Sequence, residues 1–198
     1  MADVVGVLAL QGAFGKHIEM LAAMDIVCQR VRFAHELDEC VALIIPGGES
    51  TTMSLLIHKF DLYDKLKKFA ENKPVMGICA GAILMAEKVD DTRVSPLNIM
   101  PVTALRNSYG RQVCSFSTDL RLKCDHEGLA YLARFIRADN HKLNNDTIEV
   151  KAQCEGEEVL TWMGWSRPQT FGTPGGPLLR SGCTPHPTPP NPYRWLPP

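Results

Sequence analysis

The stretch Gly77-Ile78-Cys79-Ala80-Gly81 constrains this 198-residue chain more than any other. A short apolar run, Val75 to Ile78, leads into it, and a second, Ala82 to Ala86, follows at once. The pattern predicts a strand, a tight turn and a helix, with a reactive side chain at the turn. Small residues two positions before and after the cysteine let the backbone bend sharply and leave the thiol exposed above a sheet. A helix starting just behind Cys79 would favour the thiolate through its unpaired N–H groups and its dipole. The same residues also fit a buried cysteine followed by a glycine-rich turn, since cysteine is among the most often buried residue types. The rest of the chain decides between the two.

Val4 to Leu10 is a continuous apolar run suited to a strand covered on both faces, and it ends at Gln11-Gly12. His17 to Met24 has helical spacing, with Ile18, Leu21 and Ala22 on one side. Val27 to Phe33 alternates as a more exposed strand. Val41 to Ile45 is a further buried strand, stopped by Pro46-Gly47-Gly48. A helical pattern runs from Glu49 through Met53, Leu56, Ile57 and Phe60, and another from Tyr63 to Glu71. Strands and helices alternating over short links predict an α/β fold: a doubly wound, mostly parallel sheet flanked by helices. In such sheets ligands sit beyond the carboxyl ends of the strands. Gln11-Gly12, Pro46-Gly47-Gly48 and Cys79-Ala80 all fall at such ends, which predicts a shared site.

Beyond Lys88 the helical periodicity stops. Ile99 to Leu105, Gln112 to Phe116, Leu120 to Cys124, Leu132 to Ile136 and Thr147 to Gln153 read as strands, making a β-rich second half of the same domain. The domain is expected over residues 1–160. All acidic residues lie before position 161, whereas residues 161–198 hold ten of the 14 prolines and all three tryptophans. That segment is expected to be an irregular or disordered tail.

The net charge of −1 gives no general attraction to nucleic acid or membrane surfaces. Seven scattered cysteines without a Cys-x-x-Cys pair argue against a disulfide framework and a zinc site, and for a reducing, cytoplasmic setting. No metal is expected.

Pro46-Gly47-Gly48-Glu49-Ser50-Thr51 could bring backbone N–H groups close to a ligand at a helix start. It lacks the lysine of a nucleotide-binding phosphate loop, so an oxyanion hole fits better, needing only one or two fixed N–H donors. A plain strand-to-helix turn capped by Ser50 or Thr51 is the other reading. Arg106, in Arg106-Asn107-Ser108-Tyr109-Gly110-Arg111-Gln112, and Arg137, after the apolar run ending at Ile136, could each clamp a substrate carboxylate.

Together Leu8-Ala9-Leu10-Gln11-Gly12, Pro46 to Met53, Gly77 to Gly81, Arg106 to Gln112 and Phe135-Ile136-Arg137 resemble, in order and spacing, one family. It is the triad-type (class I) glutamine amidotransferases, in the branch of the glutaminase subunits of pyridoxal 5′-phosphate synthase. The resemblance covers roughly residues 4 to 160 and implies a flavodoxin-like fold. It implies Cys79 as the nucleophile on the side-chain amide of L-glutamine, and the N–H groups of Gly48 and Ala80 as the oxyanion hole. Gly47, Gly48, Glu49, Ser50, Arg106, Ile136 and Arg137 would bind the glutamine. Ammonia would pass to a separate synthase subunit, so pyridoxal phosphate is that partner's product and this chain needs no cofactor. Asp139 stands where the family commonly has proline.

The family's general base is a histidine in a late Phe-His-Pro-Glu segment, oriented by the glutamate. This chain has none: Phe171 precedes Gly172, and the one His-Pro pair, His186-Pro187, is followed by Thr188. Five prolines between 185 and 192 disfavour a regular strand or helix there. Two readings follow: an active glutaminase, or a catalytically impaired module that docks on the synthase.

Overall fold

The computed structural model of the protein describes residues 3–106 with their side chains. Beyond them it describes the strand backbones of 116–122, 130–135, 140–143, 149–150, 152–154, 157–158, 163–166 and 178–179. The first four strands are β1 (Val4–Leu8), β2 (Cys28–Val31), β3 (Cys40–Ile45) and β4 (Val75–Ile78). They lie parallel in the order β2-β1-β3-β4. The chain moves one way from β1 to β2 and the other way from β1 to β3 and β4. The reversal opens a crevice beyond the carboxyl ends of β1 and β3, where such sheets take their ligands.

Four helices belong to this half: α1 (Phe14–Ala22), α2 (Ser50–Lys59), α3 (Tyr63–Asn72) and α4 (Ala80–Met85). The period-2 alternation of the buried strands divides the core between the two sheet faces. Val5, Val7, Ala42, Ile44 and Met76 pack with Leu21, Phe14 and Ile18 of α1. Leu8, Leu43, Ile45 and Val75 pack with Met53 and Ile57 of α2, Leu66 and Phe69 of α3, and Ile83 and Leu84 of α4. The doubly wound, mostly parallel sheet is therefore present. The helical boundaries shift slightly: α1 starts at Phe14 rather than His17, and a 3-10 turn over Ala34–Leu37, unmarked by periodicity, links β2 to β3.

Two differences concern the run after Cys79. The helix is short and ends at Met85, and Ala86–Val89 forms a strand, β5, parallel to β6 (Met100–Leu105). A wholly apolar run has no periodicity with which to separate helix from strand. The segment between β5 and β6 folds back on α4: Leu97 and Ile99 donate their N–H groups to Leu84 and Met85 carbonyls at 2.7 and 2.9 Å.

In the second half the described residues form strands, as expected, but with different bounds and pairings. One strand, β7 (Phe116–Leu122), bridges the two expected at Gln112–Phe116 and Leu120–Cys124, pairing antiparallel with β8 (Ala130–Phe135) from Phe116↔Phe135 to Arg121↔Ala130. β9 (Asn140–Leu143) pairs with β6. The strand expected over Thr147–Gln153 is divided into β10 (Glu149–Val150) and β11 (Ala152–Cys154), which enter different sheets. β11 lies between β7 and β12 (Glu157–Glu158). Past residue 160, β13 (Met163–Ser166) runs antiparallel to β4, and β14 (Leu178–Leu179) joins β13 to β10 in the main sheet. The remainder of the expected irregular tail lies outside the described residues.

Candidate functional site

Cys79 occupies the hinge between β4 and α4 with φ 50° and ψ −112°, a region that non-glycine residues enter only under strain, at a cost of about 1–3 kcal/mol. The glycines on either side explain how the chain gets there. A Cβ on Gly77 would lie 2.6 Å from the Gly81 carbonyl carbon and oxygen, and a Cβ on Gly81 would collide with the Ile45 carbonyl oxygen. Strand, turn and helix are therefore closer than any side chain would allow, and the strain is held by this packing. Cys79 is exposed, whereas Ala80 is 1 % exposed, its amide at the first turn of α4. The buried-thiol reading of the motif does not apply.

The turn after β3 lies beside it. A Cβ on Gly47 would stand 3.5 Å from Cys79 Cβ. Gly47 and Gly48 are also pressed against the turn after β1. The Gly47 carbonyl accepts from the Ala13 N–H at 2.9 Å, Gly12 has φ 91°, and a Cβ on Gly12 would strike that carbonyl. Gln11 Oε1 accepts from the Glu49 N–H at 3.0 Å, and a Cβ on Gly48 would run into the same oxygen. Three strand ends thus converge, as their shared position in the sequence pattern predicts. Sequence reasoning placed Gln11-Gly12 at this shared site but gave the Gln11 side chain no role there; its bond to the Glu49 N–H supplies one.

Glu49 caps α2. Its carboxylate accepts from the N–H groups of Thr51 and Thr52 at 3.1 and 2.6 Å, meeting amide donors that the first turn leaves unpaired. Partial burial pushes this carboxyl up, but the hydrogen bonds from Thr52 and Thr51 outweigh it and hold the pKa at about 2. The cap is thus Glu49, not Ser50 or Thr51. Ser50 itself is 2 % exposed.

Arg106, at the end of β6, reaches the same helix start. Its Nη2 donates to Glu49 Oε1 at 3.3 Å and its Nη1 to Thr51 Oγ1 at 3.2 Å. Nη1 also donates to Asp91 Oδ2, a partner the sequence did not single out. The guanidinium is 15 % exposed and the Asp91 carboxylate 16 %. Arg93 donates to both Asp91 oxygens, at 2.9 Å from Nε and 2.6 Å from Nη2. These hydrogen bonds, with the positive charge of Arg93 and Arg106, hold the Asp91 carboxyl well below the usual carboxylate range. Ile136 and Arg137 lie outside the described residues.

The arrangement joins an exposed, strained thiol to a backbone turn able to present N–H groups and to a guanidinium aligned by carboxylates. Such a site can attack a carbonyl carbon, stabilise the oxyanion that forms, and hold a polar substrate.

Comparison with known proteins agrees with this geometry. The SNO glutamine amidotransferase family matches residues 7–165. The chain is 40% identical over 164 residues to a protein of Francisella philomiragia named pyridoxal 5′-phosphate synthase subunit PdxT, covering 83% of this chain and 87% of that one. It is 45% identical over 152 residues to the protein of the same name from Dehalococcoides mccartyi, covering 75% and 77%. A solved structure described as a glutamine amidotransferase superposes with a TM-score of 0.70 at 37% identity, covering 79% of this chain and 83% of that one.

Proposed function

The chain belongs to the SNO glutamine amidotransferase family, and on that premise we propose that it hydrolyses L-glutamine to L-glutamate and ammonia as the glutaminase subunit of a pyridoxal 5′-phosphate synthase. The observation that carries the reading is Cys79 itself: exposed, at φ 50°, wedged between Gly77 and Gly81 and beside Gly47. Its Sγ forms a bond to the side-chain amide carbon of glutamine. The oxyanion is received by the N–H groups of Gly48 and Ala80, which are fixed before the reaction begins. Collapse of the tetrahedral adduct breaks the C–N bond, the nitrogen leaves with the thiol proton as ammonia, and a γ-glutamyl thioester remains. Water hydrolyses the thioester to glutamate and restores the thiol. Gly47, Gly48, Glu49, Ser50, Arg106, Ile136 and Arg137 are the proposed glutamine ligands, on the resemblance; the last two lie outside the described residues.

The ammonia is consumed by a synthase subunit, the partner that the names of the relatives imply. The scattered cysteines support a cytoplasmic setting, and no described helix is long and apolar enough to cross a membrane. The family match ends at residue 165, close to the change of composition after residue 160, which supports reading the remainder as an ending foreign to the family.

The thiol proton must be carried to the leaving nitrogen, and this chain lacks the Phe-His-Pro-Glu segment that does so in the family. That absence motivates the second reading, a module that docks without turnover. The discriminating experiment is ammonia release from glutamine, with and without the synthase subunit, by the native chain and by Cys79→Ala. Release that requires both Cys79 and the partner supports the glutaminase. Complex formation without release replaces it with the docking module.

A further inference from the structure

Arg106 is gripped at two points by consecutive residues of the turn after β5. Asp90 Oδ1 accepts from the Arg106 backbone N–H at 2.9 Å, while Asp91 accepts from the tip of the side chain. Asp90 is itself tied to β6 by its own N–H, which donates to the Ala104 carbonyl at 3.1 Å. Asp91 is oriented as firmly: Oδ1 accepts from the Arg93 N–H and Nε at 3.0 and 2.9 Å, and Oδ2 from Arg93 Nη2 and Arg106 Nη1. The loop that carries it is anchored on α2 through the Ser95 N–H, which donates to Ser54 Oγ at 2.9 Å.

We propose that Asp91 is a positioning residue for glutamine binding, acting through Arg106. The inference rests on the reading of Arg106 as a glutamine ligand. A guanidinium carries five N–H donors in a rigid plane at the end of a flexible stem. Among the described residues, Arg106 commits three of them, to Thr51, Asp91 and Glu49. Those three bonds fix the plane and leave the Nε–H and one Nη2–H for a ligand carboxylate. Thr51 offers a neutral hydroxyl, and Glu49 has its carboxylate already committed to the amides of Thr51 and Thr52. Asp91 is the charged partner that is as well buried as the arginine, so its bond is the least screened of the three. Without it, the guanidinium keeps its charge and loses its fixed direction. The substrate would then have to immobilise the side chain on binding, which weakens affinity.

The test measures binding rather than turnover, so it does not depend on which group carries the proton. L-glutamine is titrated calorimetrically into the full-length Cys79→Ala protein in complex with the synthase subunit. Asp91→Asn, isosteric and uncharged, should weaken glutamine binding about fivefold or more, and Asp91→Glu should restore part of it. In an Arg106→Ala background, Asp91→Asn should have no further effect, an outcome that a merely structural role would not give. Glutamine affinity unchanged by Asp91→Asn but weakened by Arg106→Ala overturns the role of Asp91 and leaves Arg106 as a ligand. An equal loss from Asp91→Asn with and without Arg106 assigns Asp91 a structural role instead. Affinity unchanged by Arg106→Ala, or no binding by the Cys79→Ala parent, overturns the underlying reading and this inference with it. Should Asp91→Asn fail to fold, Asp91→Glu in the two backgrounds makes the same comparison.

Discussion

Arg106 donates through Nη2 to Glu49 Oε1 at 3.3 Å across 57 residues of sequence. The same Glu49 oxygen accepts from the Thr51 N–H at the start of α2. One carboxylate thus joins the end of β6 to the first turn of α2, and α2 follows directly on the Gly47-Gly48 turn beside Cys79. Disturbing this junction should be felt at the nucleophile without any contact to it.

The acid limb of stability should depend on Glu49. Its carboxyl is lowered from 4.5 to about 2 in the folded protein, so its contribution is complete above about pH 4.5 and is lost as pH falls toward 2. Asp91, also depressed, loses its contribution as pH falls below 3.8. Glu49→Gln should therefore flatten the decline of stability between pH 4.5 and 2. At pH 7 it should cost about 1 kcal/mol, a modest figure because the carboxylate is half exposed. Urea unfolding at a series of pH values gives both numbers, and an unchanged acid limb would refute the assignment.

Gly81→Ala places a methyl group against the Ile45 carbonyl oxygen. Backbone cannot yield as a flexible side chain can, so overpacking of about 1–3 kcal/mol is expected. The elbow should open as β4 and α4 separate, and Cys79 should relax from its positive φ. Denaturant midpoints measure the loss, and the rate of thiol alkylation at Cys79 reports the altered elbow. A variant as stable as the parent would show that the close approach is not required.

Gly12→Ala tests the contact between the turns after β1 and β3. The substitution meets two penalties at once: φ 91° and a clash with the Gly47 carbonyl. A stability loss of about 1–3 kcal/mol is expected, together with weaker glutamine binding because the Gly47-Gly48 turn must shift. Gly15→Ala, where no atom lies within 4 Å of the added Cβ, is the control and should be near neutral. Equal effects at the two positions would disprove a specific turn–turn contact.

Ser54→Ala removes the acceptor of the Ser95 N–H from a position 2 % exposed. Losing that bond should cost about 1–2 kcal/mol. It should also loosen the loop bearing Asp91 and Arg93, seen as faster hydrogen exchange at the Ser95 amide. Exchange no faster than in the parent would show that the loop is held by other contacts.

Much of the architecture is written locally. The apolar runs at Val4–Leu8, Cys40–Ile45 and Val75–Ile78 announce strands covered on both faces, and each ends in the small residues that a turn at a strand end requires. The spacing Gly77-x-Cys79-x-Gly81 is enough to foresee the elbow, because a sharp backbone turn constrains the residues immediately around it. Hydrophobic pattern alone could not divide Ala80–Val89 into a helix and a strand, since every position of its first half is buried whichever element forms.

The sequence by itself therefore determined the parallel half of the sheet, through apolar periodicity, and the place of Cys79, through short-range backbone geometry; the family it showed by the resemblance of several motifs in order and spacing. Tertiary structure alone decided that Gln11 braces the Glu49 amide and that Arg106 bonds to Asp91. Gln11 and Glu49 lie 38 residues apart and Asp91 and Arg106 15, so these bonds depend on where separate strand ends meet, and in the linear chain the partners look like ordinary solvated polar residues. Only when the main sheet brings the ends of β1 and β3 together, and β6 from a second sheet delivers Arg106 to the start of α2, does their chemistry become a site.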